Sequence, residues 1–121
     1  MKIEVIQKNN TAVAVVQSDK ALLTDVQSAL DWVMSVKYET HCTNIALNKE
    51  AITRDFFILS TCLAGEILQK FINYGVRFAI YGDFSGYTSK PLKDFMYESN
   101  QGRDIYFQPT AALAVDKLCG S

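Results

Sequence analysis

Five short runs with strand character, the later ones separated by stretches of helical period, restrict this chain more than any other feature. Lys2 to Lys8 alternates, with Ile3 and Val5 on one parity, and Thr11 to Gln17 is β-branched. Asn9-Asn10 between them has the chemistry of a turn at positive φ, so the chain opens with a β-hairpin. From Ala21 the period changes. Leu22, Val26, Ala29, Leu30, Val33 and Met34 follow helical spacing and predict a helix to about Tyr38, with Ser18 or Asp19 as its cap.

NIALN, Asn44 to Asn48, is short and bounded by polar residues, which predicts a buried strand. Leu63, Ala64, Ile67, Leu68, Phe71 and Ile72 then form an apolar helical stripe that Gly75 ends. VRFAIY, Val76 to Tyr81, reads as the strongest strand and runs into a polar loop through Lys90. A third helix follows, with Pro91 in its first turn, Leu92, Phe95 and Met96 on its apolar face, and Gly102 at its close. DIYFQ, Asp104 to Gln108, predicts the last strand, and Thr110 caps a final helix, AALAVDKL. The order is β-β-α-β-α-β-α-β-α. Three right-handed crossovers on a hairpin imply a single α/β domain over 1–121, with a mixed, mostly parallel sheet of about five strands.

Composition narrows the functional classes. A length of 121 residues with 49 % hydrophobic content is enough for a self-sufficient core. Twelve basic against 13 acidic residues leave a net charge of −1, with no positive field for nucleic acid. No apolar run is long enough for a bilayer and the start lacks a secretory pattern, so the expectation is a cytoplasmic protein. Cys42, Cys62 and Cys119 have no CxxC spacing, and with one histidine, His41, they offer no metal set; no cofactor is expected.

The order of elements is similar to the STAS fold of anti-sigma-factor antagonists and of the cytoplasmic tails of sulfate transporters. LAGEILQKF, YGDFS and KPLKDFMYESNQGR resemble more closely a bacterial family described only as a domain of unknown function. The STAS resemblance implies a serine at the start of the helix after the third strand that a partner kinase phosphorylates, a place held here by Ser60 and Thr61. Antagonists carry an acidic residue before these hydroxyls and a glycine after; this chain has Leu59 and Cys62.

From the residues alone, Ser60 and Thr61 have three readings: an N-cap, an N-cap that accepts a phosphate, or interior residues of a helix that already starts near Asp55. Cys62 near a helix start has the setting of a lowered pKa, yet a nucleophile needs a base that the sequence does not place beside it. Gly65 inside a helix suggests close packing, or the approach of a partner. Glu50, Asp55 and Glu66 have no spacing that pairs them. The loop after Tyr81 and the helix beyond carry Asp83, Ser85, Tyr87, Thr88, Ser89, Lys90, Lys93, Tyr97, Glu98, Asn100 and Arg103, at a strand end where α/β sheets bind ligands.

These signals lead to two expectations. The first is a non-enzymatic regulatory module that offers the start of its second helix and the loop after Tyr81 to a protein partner. The second is a small-ligand or thiol-dependent catalytic domain using that loop and Cys62. A homodimer through the free edge of the hairpin is a further expectation.

Overall fold

The computed structural model describes residues 1–120. Strands β1 (Lys2–Lys8) and β2 (Thr11–Gln17) form the opening hairpin, with Asn9 and Asn10 both left-handed at φ 53° and 62°. Two positive φ values at the centre of a two-residue loop match the right-handed twist of the flanking strands. Helix α1 (Val26–Thr40), β3 (Asn44–Asn48), α2 (Leu63–Asn73), β4 (Arg77–Tyr81), α3 (Lys90–Gln101), β5 (Ile105–Gln108) and α4 (Ala111–Leu118) follow.

The five strands lie in sequence order, β1-β2-β3-β4-β5, antiparallel at the hairpin and parallel from β2 onward. Each crossover steps to the adjacent strand in the same direction. Right-handed connections of that kind put every crossover helix on one face. Ala14, Val16, Ile45, Leu47, Phe78 and Ile80 accordingly point toward α1, α2 and α3 into the larger core, where Trp32 packs edge-on to Phe78 at 5.9 Å and Phe71 meets Phe78 at 5.0 Å. The alternate residues Val13, Ala46, Ala79 and Tyr106 face α4 through Ala114, Val115 and Leu118. Small side chains on that side let a single short helix lie close.

Several boundaries differ from expectation for a local reason. Helix α1 begins at Val26 rather than Ala21, because Asp25 and Ser28 form a reciprocal capping box. Ala21 to Thr24 stay out of the helix: Leu23 is fully buried, and its N–H and carbonyl bond Ala51 and Thr53. Ser18 and Asp19 therefore cap nothing. Gly102 closes α3 with extended backbone rather than a left-handed turn, whereas Gly75 does reach φ 74° after α2. Val5 shares its parity with Ile3 but remains 47 % exposed, since it lies on the edge strand.

The two ends of the sheet are held differently. At the amino end the Arg77 guanidinium donates to the carbonyls of Arg103 (2.7 Å) and Leu118 (2.8 Å) and to Asn44 and Tyr106 side chains, joining β3, β4, β5 and α4. At the carboxyl end the buried Asn48 accepts from the Ser18 N–H at 2.9 Å and donates to the Ser18 carbonyl at 2.8 Å. That pair stands in for strand pairing where β2 has already ended. The chain then runs from β3 to α2 through three short 3₁₀ turns, Lys49–Ala51, Arg54–Phe57 and Leu59–Thr61, and turns into α2 at Cys62 with φ 64°.

Three substitutions test this account by chemical denaturation. Asn48→Ala leaves both Ser18 backbone groups unpaired in a buried position, with an expected loss of about 2–4 kcal/mol. Gly82 has φ 154° and an added Cβ would lie 2.7 Å from Lys49 Cγ, so Gly82→Ala is expected to lose about 2 kcal/mol. Cys62→Gly relieves a left-handed residue that bears a Cβ, and a gain of about 1 kcal/mol is expected. A neutral Asn48→Ala or a destabilising Cys62→Gly would contradict these assignments.

Candidate functional site

Because β2 to β5 are parallel, their carboxyl ends meet at one edge, and the β3–α2 and β4–α3 connections both leave from it. Ligands of parallel α/β sheets bind at this kind of edge. The two connections enclose a cleft of roughly 310 Å³, with Arg54, Phe57 and Ile58 on one wall and Tyr87, Thr88 and Ser89 on the other, over Leu92. Its base is aromatic. Phe57 lies 5.1 Å from Tyr87 and 6.3 Å from Phe84, and Phe84 meets Phe107 of β5 at 5.8 Å. Lys49 lies over the Tyr87 ring at 5.0 Å, a cation held on an aromatic face beside the cleft. Ile58 is 48 % exposed on the opposite wall.

Local hydrogen bonds shape the second wall. Asp83 accepts the Ser85 N–H at 2.9 Å, which turns the loop immediately after Gly82. Hydrogen bonds from Ser85, with a smaller pull from Lys49, hold the Asp83 carboxyl below the ordinary carboxylate range. Ser89 caps α3, accepting from Leu92 at 3.4 Å, and Pro91 occupies its first turn. The start of the loop and the start of the helix are thus each shaped by a side chain that accepts a nearby backbone N–H.

The hydroxyl pair divides into two roles, and neither is the N-cap that the sequence suggested. Helix α2 begins at Leu63, and Cys62 holds the cap position without a side-chain cap bond. The 3₁₀ turns absorb Asp55 to Thr61, which also removes the reading of one helix from Asp55. Thr61 Oγ1 lies 2.7 Å from the Asp55 carbonyl and 2.8 Å from that of Ile58, and it accepts from the Leu63 N–H at 3.3 Å. Its hydroxyl ties the last two turns to the helix. Ser60 is exposed, and its hydroxyl has no partner among the described residues.

Cys62 is exposed, with its Sγ 4.0 Å from the Ser60 carbonyl. His41 caps the end of α1 where the chain enters β3, whereas Cys62 opens α2, the helix that starts from the carboxyl edge of the sheet, and Cys62 Sγ has the Ser60 carbonyl as its neighbour rather than the imidazole. The lone histidine cannot act as base for this thiol. Among the described residues no three His, Cys, Asp or Glu side chains gather where a metal would bind, and no helix is long and apolar enough to cross a membrane.

Gly65 does not mark close packing, since a Cβ there would meet nothing within 4 Å. It lies on an outward groove between α2 and α3, together with Leu68, Ile72, Phe95 and Arg103. The polar residues expected to form one surface are therefore divided. Tyr87 and Ser89 line the cleft, with Asp83 and Ser85 in the same loop. Lys90 pairs with Asp94 at 2.7 Å on exposed α3, Lys93 is also exposed, and Tyr97 and Arg103 lie toward the helix's far end. Arg54, Phe57, Ile58 and Lys49 were not singled out from sequence. The DFF and LST runs resemble helix there, and only their irregular apolar spacing before Leu63 marks the turns.

Nothing among curated proteins or among solved structures matches the chain. A family profile with the description "Domain of unknown function (DUF4180)" matches residues 8–118, from the last residue of β1 through the three crossovers to the end of α4. With nearly its whole length inside that match, the chain belongs to this family.

Proposed function

We propose that this domain is a non-enzymatic interaction module of the bacterial cytoplasm, with a STAS-like mode of action, that docks a protein partner against the carboxyl end of its sheet. The observation that carries the reading is the cleft between the two connections. It combines an exposed aliphatic side chain, Ile58, an aromatic base at Phe57 and Tyr87, and an exposed cation, Arg54. Aromatic residues and arginine are the types enriched where interfaces concentrate their binding energy. Ser60 stands two residues from Ile58 on the same turn, with its hydroxyl unengaged, so a phosphate there would add about two negative charges beside the docking face without disturbing a structural bond. Thr61, whose hydroxyl ties the turn together, is the structural member of the pair.

A small-ligand reading draws on the same cleft, whose volume is at the lower end for such sites. Its thiol-dependent version lacks support, because His41 lies at the other end of β3. Iodoacetamide is expected to label Cys62 no faster than a model thiol, and a markedly faster rate would favour catalysis.

Photo-crosslinking in cells tests the docking face. A crosslinking residue at Ile58 is expected to trap one dominant protein, and the same residue at Leu113 on α4, 43 % exposed and on the opposite face, is expected not to. Tyr87→Ala and Ser60→Asp should each weaken the adduct about tenfold, the loss of one hot-spot contact. Identical adducts from positions 58 and 113, or adducts indifferent to both variants, would overturn the proposal.

A further inference from the structure

The two edges of the sheet are finished differently. On the β5 side, Asn100 of α3 turns its side-chain oxygen to the Phe107 N–H at 2.8 Å and to Gln108 Nε2 at 3.1 Å, so a side chain occupies an outward backbone donor. The β1 side has no such cover. Lys8 and Thr11 flank the two-residue turn as a hydrogen-bonded pair, and from the register the backbones of Lys8, Ile6, Glu4 and Lys2 turn inward to β2. Those of Ile3, Val5 and Gln7 turn outward, and among the described residues nothing bonds them.

Edge strands are commonly protected by charge, and β1 carries Lys2, Glu4 and Lys8. Their spacing allows a different outcome in one register. These three and Ile6 point to the α4 face: Ile6 packs on the smaller core, and the Lys8 ammonium bonds Asp116 of α4. An antiparallel copy of β1 centred on Val5 would oppose Lys2 to Lys8, and one centred on Glu4 would oppose Glu4 to itself. Centring on Ile6 opposes Glu4 to Lys8 twice. It also pairs the outward backbones of Val5 and Gln7 reciprocally, and brings the two exposed Val5 side chains diagonally together on the other face. Centring on Ile3 opposes Lys2 to Glu4 but needs Met1, which lies outside the strand. Glu4 has no ion-pair partner in its own chain among the described residues, and Lys8 is half exposed with donors to spare beyond Asp116.

We propose that the β1 edge receives a second copy of this chain, antiparallel and centred on Ile6, to make a two-fold dimer with a continuous ten-stranded sheet closed by paired Glu4–Lys8 contacts. The overlap is short, so the dimer is weak. It forms at concentrations of roughly 0.1 mM rather than nanomolar, as expected of an interface below standard size.

Charge exchange tests the register in the full chain by sedimentation. Glu4→Lys alone and Lys8→Glu alone each oppose like charges twice and are expected to weaken dimerisation about tenfold or more. An equimolar mixture of the two variants restores opposite charges at both positions, and a heterodimer at wild-type strength is expected. Since Lys8→Glu also loses the Asp116 contact, an independent measurement uses cysteine. In a Cys62→Ser background, Ile6→Cys places two thiols across a non-hydrogen-bonded pair about 4.5 Å apart between Cα atoms, within disulfide reach, and rapid oxidation to a covalent dimer is expected. Val5→Cys, which faces Gln7 in this register, should oxidise far more slowly. A wild-type monomer at about 1 mM, a dimer unaffected by Lys8→Glu, a mixture that stays monomeric, or faster crosslinking at position 5 than at position 6 would each overturn the proposal.

Discussion

The handedness of three consecutive crossovers is the constraint on which the rest of this structure depends. A right-handed connection that always steps to the next strand in the same direction leaves no choice of face, so α1, α2 and α3 cover one side of the sheet together. The same repetition brings the carboxyl ends of β2 to β5 to a single edge and makes both long connections leave from it. The cleft between Ile58 and Tyr87 follows from that meeting. The other face has only α4, and its small strand residues, Ala46 and Ala79, suit that one helix.

Backbone chemistry, rather than side-chain contact alone, shapes the site. Cys62 in a left-handed conformation turns the chain from 3₁₀ geometry into α2, and Thr61 ties that turn by bonding carbonyls on both preceding segments. Gly82, at φ 154° beside the Lys49 side chain, performs the matching turn at the end of β4. Cys62 sets how the first wall joins α2, and Gly82 sets the direction in which the second wall leaves β4. Asn48 holds the end of β3 to the residue after β2 by satisfying both Ser18 backbone groups in a buried position.

Much of the fold was legible from residue pattern. All five strands, the hairpin turn, Pro91 in the first turn of α3, the cap Thr110 and the stop at Gly75 depend on neighbours within a few residues, and local signals report such features faithfully. The errors also share a cause. Leu22 fits the apolar period of α1 and predicts a start near Ala21, yet the adjacent Leu23 is buried and bridged to Ile52, a residue far along the chain. For Gly65 the local cost of a helical glycine predicts close packing or the approach of a partner, and the packing half fails because the space above it depends on α1 and α3.

Sequence alone determined the class of this protein: one α/β domain whose element order, through short connections and chirality, leaves a mixed sheet as the outcome. It also placed the chemistry-bearing loop after Tyr81 at a strand's carboxyl end. Only the tertiary structure decided that Arg54, Phe57 and Ile58 face that loop, that Thr61 is engaged while Ser60 is not, and that His41 and Cys62 lie at opposite ends of β3. Periodicity records which side of an element is buried, whereas the distance between two connections is set by strand register and helix packing, which join residues far apart in the chain.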